Sequence, residues 1–154
     1  GKIVTVGSET FDLPTQGTDI GYAEEVVGWQ EAVSDALTTV QGVNDIPITT
    51  ATIANNQTTA QNVVGFLHND LNTRAFKAEF SIKRTYDTGT SIVTESGTIE
   101  GNSDGTDWYI TIESIGNSGI TLSINSAGQM QYLSTNLTNY VSGDIKFKSK
   151  SIDV

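Results

Sequence analysis

Two hydrophobic periods divide this chain. Between residues 19 and 41 apolar side chains return every third or fourth position, and from residue 46 onward they return every second one. In the first stretch they fall at Tyr22, Val26, Trp29, Val33, Ala36 and Val40, in steps of 4, 3, 4, 3 and 4. The alternation of fours and threes is heptad-like and predicts a helix over 19–41 with a seam narrower than the apolar face of an ordinary packed helix. Val27 and Leu37 flank the seam and widen it. Thr18 or Asp19 supplies the N-cap, and Asp19, Glu24 and Glu25 sit where the positive helix end favours carboxylates. Gly42 ends the helix. Gly28, beside Trp29, weakens it by about 1 kcal/mol relative to Ala and lets a neighbouring backbone approach.

Ahead of the helix, residues 2–6 (KIVTV) read as a short β-branched strand. Residues 7–17 read as an extended arm in which Phe11 and Leu13 alternate with polar neighbours and Pro14 ends regular structure. Two arrangements stay open at this point. The helix and the two apolar pegs of the arm either cover the β-region of their own chain, or they meet copies of themselves or a partner. The helix carries Asp19, Glu24, Glu25, Glu31 and Asp35 and no Lys or Arg. Flanking ion pairs therefore cannot hold a tight coiled coil. A looser cluster about a symmetry axis, or docking onto a basic partner, remains.

The period-two region predicts strands over 48–54, 63–67, 76–86, 91–100, 108–114, 120–125, 129–133 and 144–152. The clearest is 76–86, with Phe76, Ala78, Phe80, Ile82 and Tyr86 on one face and Lys77, Glu79, Ser81, Lys83 and Thr85 on the other. Trp108, Ile110 and Ile112 share a face, as do Ile120, Leu122 and Ile124. So do Met130 and Tyr132, and Ile145 and Phe147. Turn residues separate the strands at Asp87 to Gly89, Asn102 to Asp107, Asn117 to Gly119 and Ser126 to Gly128. Successive hairpins over 76–133 require antiparallel pairing. Eight short strands at such spacing predict a mainly β fold. We expect an antiparallel β-sandwich, with a jelly roll as one form of it, preceded by an extended N-terminal arm and one α-helix. Residues 1–45 would form the docking or oligomerisation part and 46–154 the β-domain.

Composition narrows the function. The 154 residues suffice for one domain with a real core. With no cysteine there are no disulfides or thiolate metal sites. No apolar run reaches membrane-spanning length and no signal-peptide pattern is present, so no membrane partner is expected. A net charge of −10 argues against nucleic acid, whose phosphates need clustered Lys and Arg. Residues 1–45 contribute −7 of that charge and residues 46–154 contribute −3.

Candidate chemistry is sparse. The single histidine, His68, falls in a polar turn without a nucleophile or second base. Glu95 with Glu100, or Asp104 with Asp107, would be the carboxylate couples of a glycosidase, but such couples need a shared cleft and a fixed separation. Glu100, Asn102, Asp104 and Gly105 resemble half a calcium loop, although Thr111 and Ile112 stand where its bidentate Glu belongs. A turn built on Asn, Asp and Gly accounts for them better. Alternation places Trp108 in the core and Tyr109 outward, leaving one aromatic for sugar stacking. Asn56 and Asn136 sit in glycosylation sequons that matter only in a secretory host. No catalytic, metal or cofactor-binding residue is assigned, and no enzyme activity is expected.

Several stretches carry a resemblance: LPTQG at 13–17, ALTTVQGVNDI at 36–46, ATIANNQTT at 51–59, the long block at 99–137 and GDIKFKSKSI at 143–152. Together they resemble virion-associated structural proteins of tailed bacteriophages, over nearly the whole chain and without a catalytic motif. The resemblance implies a non-enzymatic protein on the particle surface, of the capsid-decoration or head-fibre type. Full-length fibres continue into long C-terminal shafts, and a single β-domain leads us to expect a compact decoration or adaptor role instead. Tail fibre, tail adaptor and host-glycan-binding module are the alternatives. Phe11, Leu13, Tyr22, Val26, Trp29, Val33, Ala36 and Val40 are expected to form the interface of a homo-oligomer, a trimer in the favoured arrangement, or to dock on other virion proteins.

Overall fold

The computed structural model describes residues 42–154. The strand expected at 2–6, the arm with Phe11 and Leu13, and the helix with Tyr22, Val26, Trp29, Val33, Ala36 and Val40 lie outside the described residues. Those described are mainly β, and every strand pairing among them is antiparallel. The strands are β1 (Ile46–Thr52), β2 (Gln61–Leu67), β3 (Thr73–Tyr86), β4 (Ser91–Ser103), β5 (Trp108–Gly116), β6 (Ile120–Ile124), β7 (Gln129–Ser134) and β8 (Ser142–Asp153). They form a five-stranded sheet in the order β1-β8-β3-β4-β5 and a three-stranded sheet in the order β2-β7-β6.

Both sheets contribute to one core. Ala51, Phe76, Ala78, Phe80, Ile82, Ile99, Trp108, Ile145 and Phe147 come from the larger sheet and Val63, Phe66, Met130 and Tyr132 from the smaller. Phe66 stacks on Phe147 at 4.5 Å between ring centroids and meets Phe76 edge-on at 6.0 Å. Such pairs add about 0.5–1.5 kcal/mol beyond the area they bury. The register of β3 explains why its alternation reads so clearly. Phe80 lies opposite Phe147 on one side and Gly97 on the other, and Ile82 lies opposite Ile145. Their polar neighbours consequently all face out.

Four expectations need correction. The run of hairpins breaks after β5, because β5 and β6 belong to different sheets. Between them Asn117 Oδ1 accepts the Gly119 N–H at 3.0 Å and turns the chain out of the larger sheet. β1 starts two residues earlier than expected, at Ile46, and includes Pro47. That residue is tolerated because β1 is an edge strand, where a missing donor breaks no ladder. On β3 the inward face ends on Arg84, which is fully buried, whereas Tyr86 is only half-buried.

The fourth correction concerns His68. It is 2% exposed, and β2 explains why. The pairing with β7 shifts register between Asn62 and Leu67, and Gly65 has a φ of +91° there. This bulge lets Val63 and Phe66, three residues apart, both point inward. Two residues after Phe66, His68 faces inward as well.

Candidate functional site

Alternation on the larger sheet places a second set of residues on its outer face. Ile152, Ala75, Asn102 and Tyr109 form one row across β8, β3, β4 and β5, and Lys150, Lys77, Glu100 and Thr111 form the next. Ala75 is small and its neighbours in the row are not. The result is an open depression of about 720 Å³ over Ala75, walled by Tyr109 and Ile152. Both walls are exposed, at 54% and 62%. Lys77 Nζ lies 3.8 Å from Glu100 Oε2 along its floor, with both side chains largely in solvent. A pair of that kind contributes little to stability.

The Tyr109 ring is held from below. Its hydroxyl donates to Asp104 Oδ2 at 3.0 Å. The other oxygen of Asp104 accepts the Thr106 and Asp107 N–H groups at 2.8 Å each. These donors, the backbone N–H of Asp107 foremost, hold the Asp104 carboxyl below its usual range. The bond to Asp104 in turn raises the Tyr109 phenol above its own. Both Asp104 oxygens thus serve the β4–β5 turn and the aromatic beside it, which is the turn reading of this loop. An aromatic fixed at its hydroxyl, a small floor, an amide, a hydroxyl and an ion pair can bind a flat polar ligand by one apolar face and several hydrogen bonds.

The carboxylate couples do not form a cleft. Glu95 and Glu100 are five residues apart on β4 and point to opposite faces of the strand. Glu95 accepts from Ser114 Oγ at 2.6 Å and Ser118 Oγ at 2.7 Å, and so ties β4 to the β5–β6 connection. Glu100 stays on the outer face with Lys77. His68 stacks on Phe76 at 4.6 Å, and its Nε2 lies 2.8 Å from Ser149 Oγ. Burial lowers its pKa to about 4, against a smaller upward pull from Asp45. Trp108 lies in the core and Tyr109 outside, as alternation placed them. The interface residues from Phe11 to Val40 fall outside the described residues.

Sequence reading missed the depression. It saw Tyr109 as a lone outward aromatic. The signal lay in the small Ala75 opposite Asn102, and it became visible only once register joined four strands.

No protein-family model and no curated protein matches this chain. Among solved structures, the tailspike protein of Acinetobacter phage vB_ApiP_P1 is similar at a TM-score of 0.50 and 13% identity, covering 68% of this chain and 22% of that one. The tailspike protein of Acinetobacter baumannii phage AM24 aligns at a TM-score of 0.35 and 12% identity, covering 69% of this chain and 26% of that one. This chain therefore spans about a quarter or less of those proteins. The first likeness is one of fold.

Proposed function

We propose that this chain is a non-enzymatic structural protein of a bacteriophage virion, carried on the particle surface. The observation that supports this best is the shared fold with a segment of a phage tailspike, which joins the resemblance read from the sequence. Two packed antiparallel sheets make a sandwich. The nested pairing of β1 with β8 and β2 with β7 wraps it as a jelly roll does, while β3, β4 and β5 form a plain meander. A tail-associated fibre or adaptor module and a head-decoration protein both fit this fold, and the tailspike likeness favours the tail. Attachment would run through Phe11, Leu13 and the seam from Tyr22 to Val40, in a homotrimer or against other virion proteins. Immunogold labelling of intact particles tests the reading. Label on the tail supports the fibre form and label on the head supports decoration, whereas label on neither refutes the virion reading.

The depression over Ala75 favours a second reading, recognition of a host-surface glycan. Binding of one saccharide class on a glycan array, lost in Tyr109→Ala, would support it. Cleavage of the saccharide would overturn the non-enzymatic assignment.

A further inference from the structure

Where charged residues face each other across the strands of the larger sheet, their signs are opposite, with one exception among the described residues. Between β3 and β8, Glu79 stands opposite Lys148 and Lys83 opposite Asp144. Lys148 Nζ lies 3.5 Å from Glu79 Oε1. Opposite signs are the ordinary arrangement, because like charges directly opposite destabilise a sheet. Lys77 and Lys150 nevertheless face each other. Their row borders the depression over Ala75, and both side chains line it. Two carboxylates act on them. Glu100 lies beside Lys77 at 3.8 Å with both groups in solvent, where such a pair holds weakly. Asp45 attracts Lys150, but its oxygens already accept the Gly42 N–H at 2.7 Å and the Ser151 N–H at 2.7 Å.

We propose that the depression takes an acidic oligosaccharide, with a sugar carboxylate between Lys77 and Lys150 and a neighbouring sugar ring stacked on Tyr109. This rests on the glycan reading of the same site and adds the class of saccharide. A carboxylate between the two ammonium groups offsets the repulsion the row otherwise carries and accepts charge-assisted hydrogen bonds. Tyr109 supplies an exposed apolar face, fixed by the bond from its hydroxyl to Asp104. Asn102 stands between Tyr109 and Ala75 in the register, where its amide meets sugar hydroxyls. Strand spacing sets a minimum ligand length. Adjacent strands lie about 4.8 Å apart, so Tyr109 on β5 is about 10 Å from Lys77 on β3 and about 14 Å from Lys150 on β8. One sugar ring does not cover that span, and two or three linked rings do. Glu100 is the only acid of the lining, and it competes with the ligand for Lys77. A chain with a net charge of −10 has no general attraction for polyanions, so the recognition is local.

The test is calorimetric titration of the full chain with galacturonate and sialate oligomers of one to four residues. Neutral maltooligosaccharides of the same lengths and polyphosphate are run beside them. An acidic trimer or tetramer should bind, its monomer at least tenfold more weakly, and salt should weaken the binding. Lys77→Gln, Lys150→Gln and Tyr109→Ala should each lower affinity tenfold or more. Glu100→Gln should raise it severalfold, which loss of a merely structural ion pair would not do. Lys83→Gln, about 20 Å away along β3, should change nothing. Near-UV circular dichroism checks that each variant is folded. Neutral oligomers bound as tightly as acidic ones, and still dependent on Tyr109, overturn the acidic assignment and leave the glycan reading standing. Polyphosphate bound equally well without need of Tyr109 overturns it too, because the lysines are then an unselective anion site. Binding of no saccharide of either kind removes the glycan reading and this proposal together.

Discussion

His68 shows how one residue couples this fold to pH. Its imidazole is buried among Phe66, Phe76 and Trp108 and beside Ser149, and burial holds its pKa at about 4, against an ordinary value of 6.5. As pH falls, the unfolded chain takes up the proton first. The contribution from this group is therefore complete above pH 6.5 and is lost between 6.5 and about 4. The slope there is at most about 1.4 kcal/mol per pH unit. Melting temperatures measured between pH 5 and 7 should fall more steeply for the native chain than for His68→Phe, which keeps a ring against Phe76 but cannot titrate. Parallel curves would show that His68 is not the titrating group. Neither the burial nor the shift was legible at the residue itself, since His68 stands where an apolar run gives way to the polar Asn69 and Asp70. Both follow from the bulge at Gly65, three residues upstream.

At the scale of elements, β2 is the strand whose form the sequence shows least. A stretch reading VVGFL has no alternation, and periodicity alone cannot say which residues face in. Gly65 decides it, by taking a φ of +91° that L side chains rarely adopt. A Cβ at that position would also come within 3.2 Å of Thr49 Cγ2. Gly65→Val should lower the urea midpoint by the equivalent of about 1–3 kcal/mol. Gly65→Asn should cost less, because Asn tolerates positive φ better. Equal losses for the two would mean that backbone conformation is not what Gly65 supplies. On β3 the reverse holds. Its regular alternation made both faces readable in advance except at the strand's end, where Tyr86 is only half-buried and the inward place falls to Arg84, because a charged residue at an inward position runs against the pattern.

In the whole molecule, Arg84 is what joins the ends of the two sheets. From β3 it donates to Ser118 O at 2.8 Å and Thr135 O at 2.7 Å, and to Asn55 Oδ1 at 2.9 Å. Its guanidinium lies 5.3 Å from the centre of the Tyr140 ring. These partners come from the connections that enter and leave the smaller sheet. Removing the planar fork strands several buried acceptors at once. Arg84→Met should therefore cost about 3 kcal/mol or more, read as a drop in the denaturant midpoint of a single cooperative transition. Arg84→Lys should recover little of it, because a point charge cannot reach acceptors spread around a planar group. A loss under about 1 kcal/mol would mean that the clamp is dispensable.

The sequence by itself determined the strand positions and most inward faces, because alternation is local: a side chain's face follows from its nearest neighbours along the strand. It also determined that Glu95 and Glu100, an odd number of residues apart on one strand, face opposite ways. Tertiary structure decided what depends on residues far apart in the chain. Sheet membership separated β5 from β6 despite their short connection. Register gathered Ala75, Asn102, Tyr109 and Ile152 into one row and opened the depression above them. Packing of the two sheets gave Arg84 its carbonyl partners and took His68 out of water. These outcomes rest on pairings between distant strands, which no local period encodes.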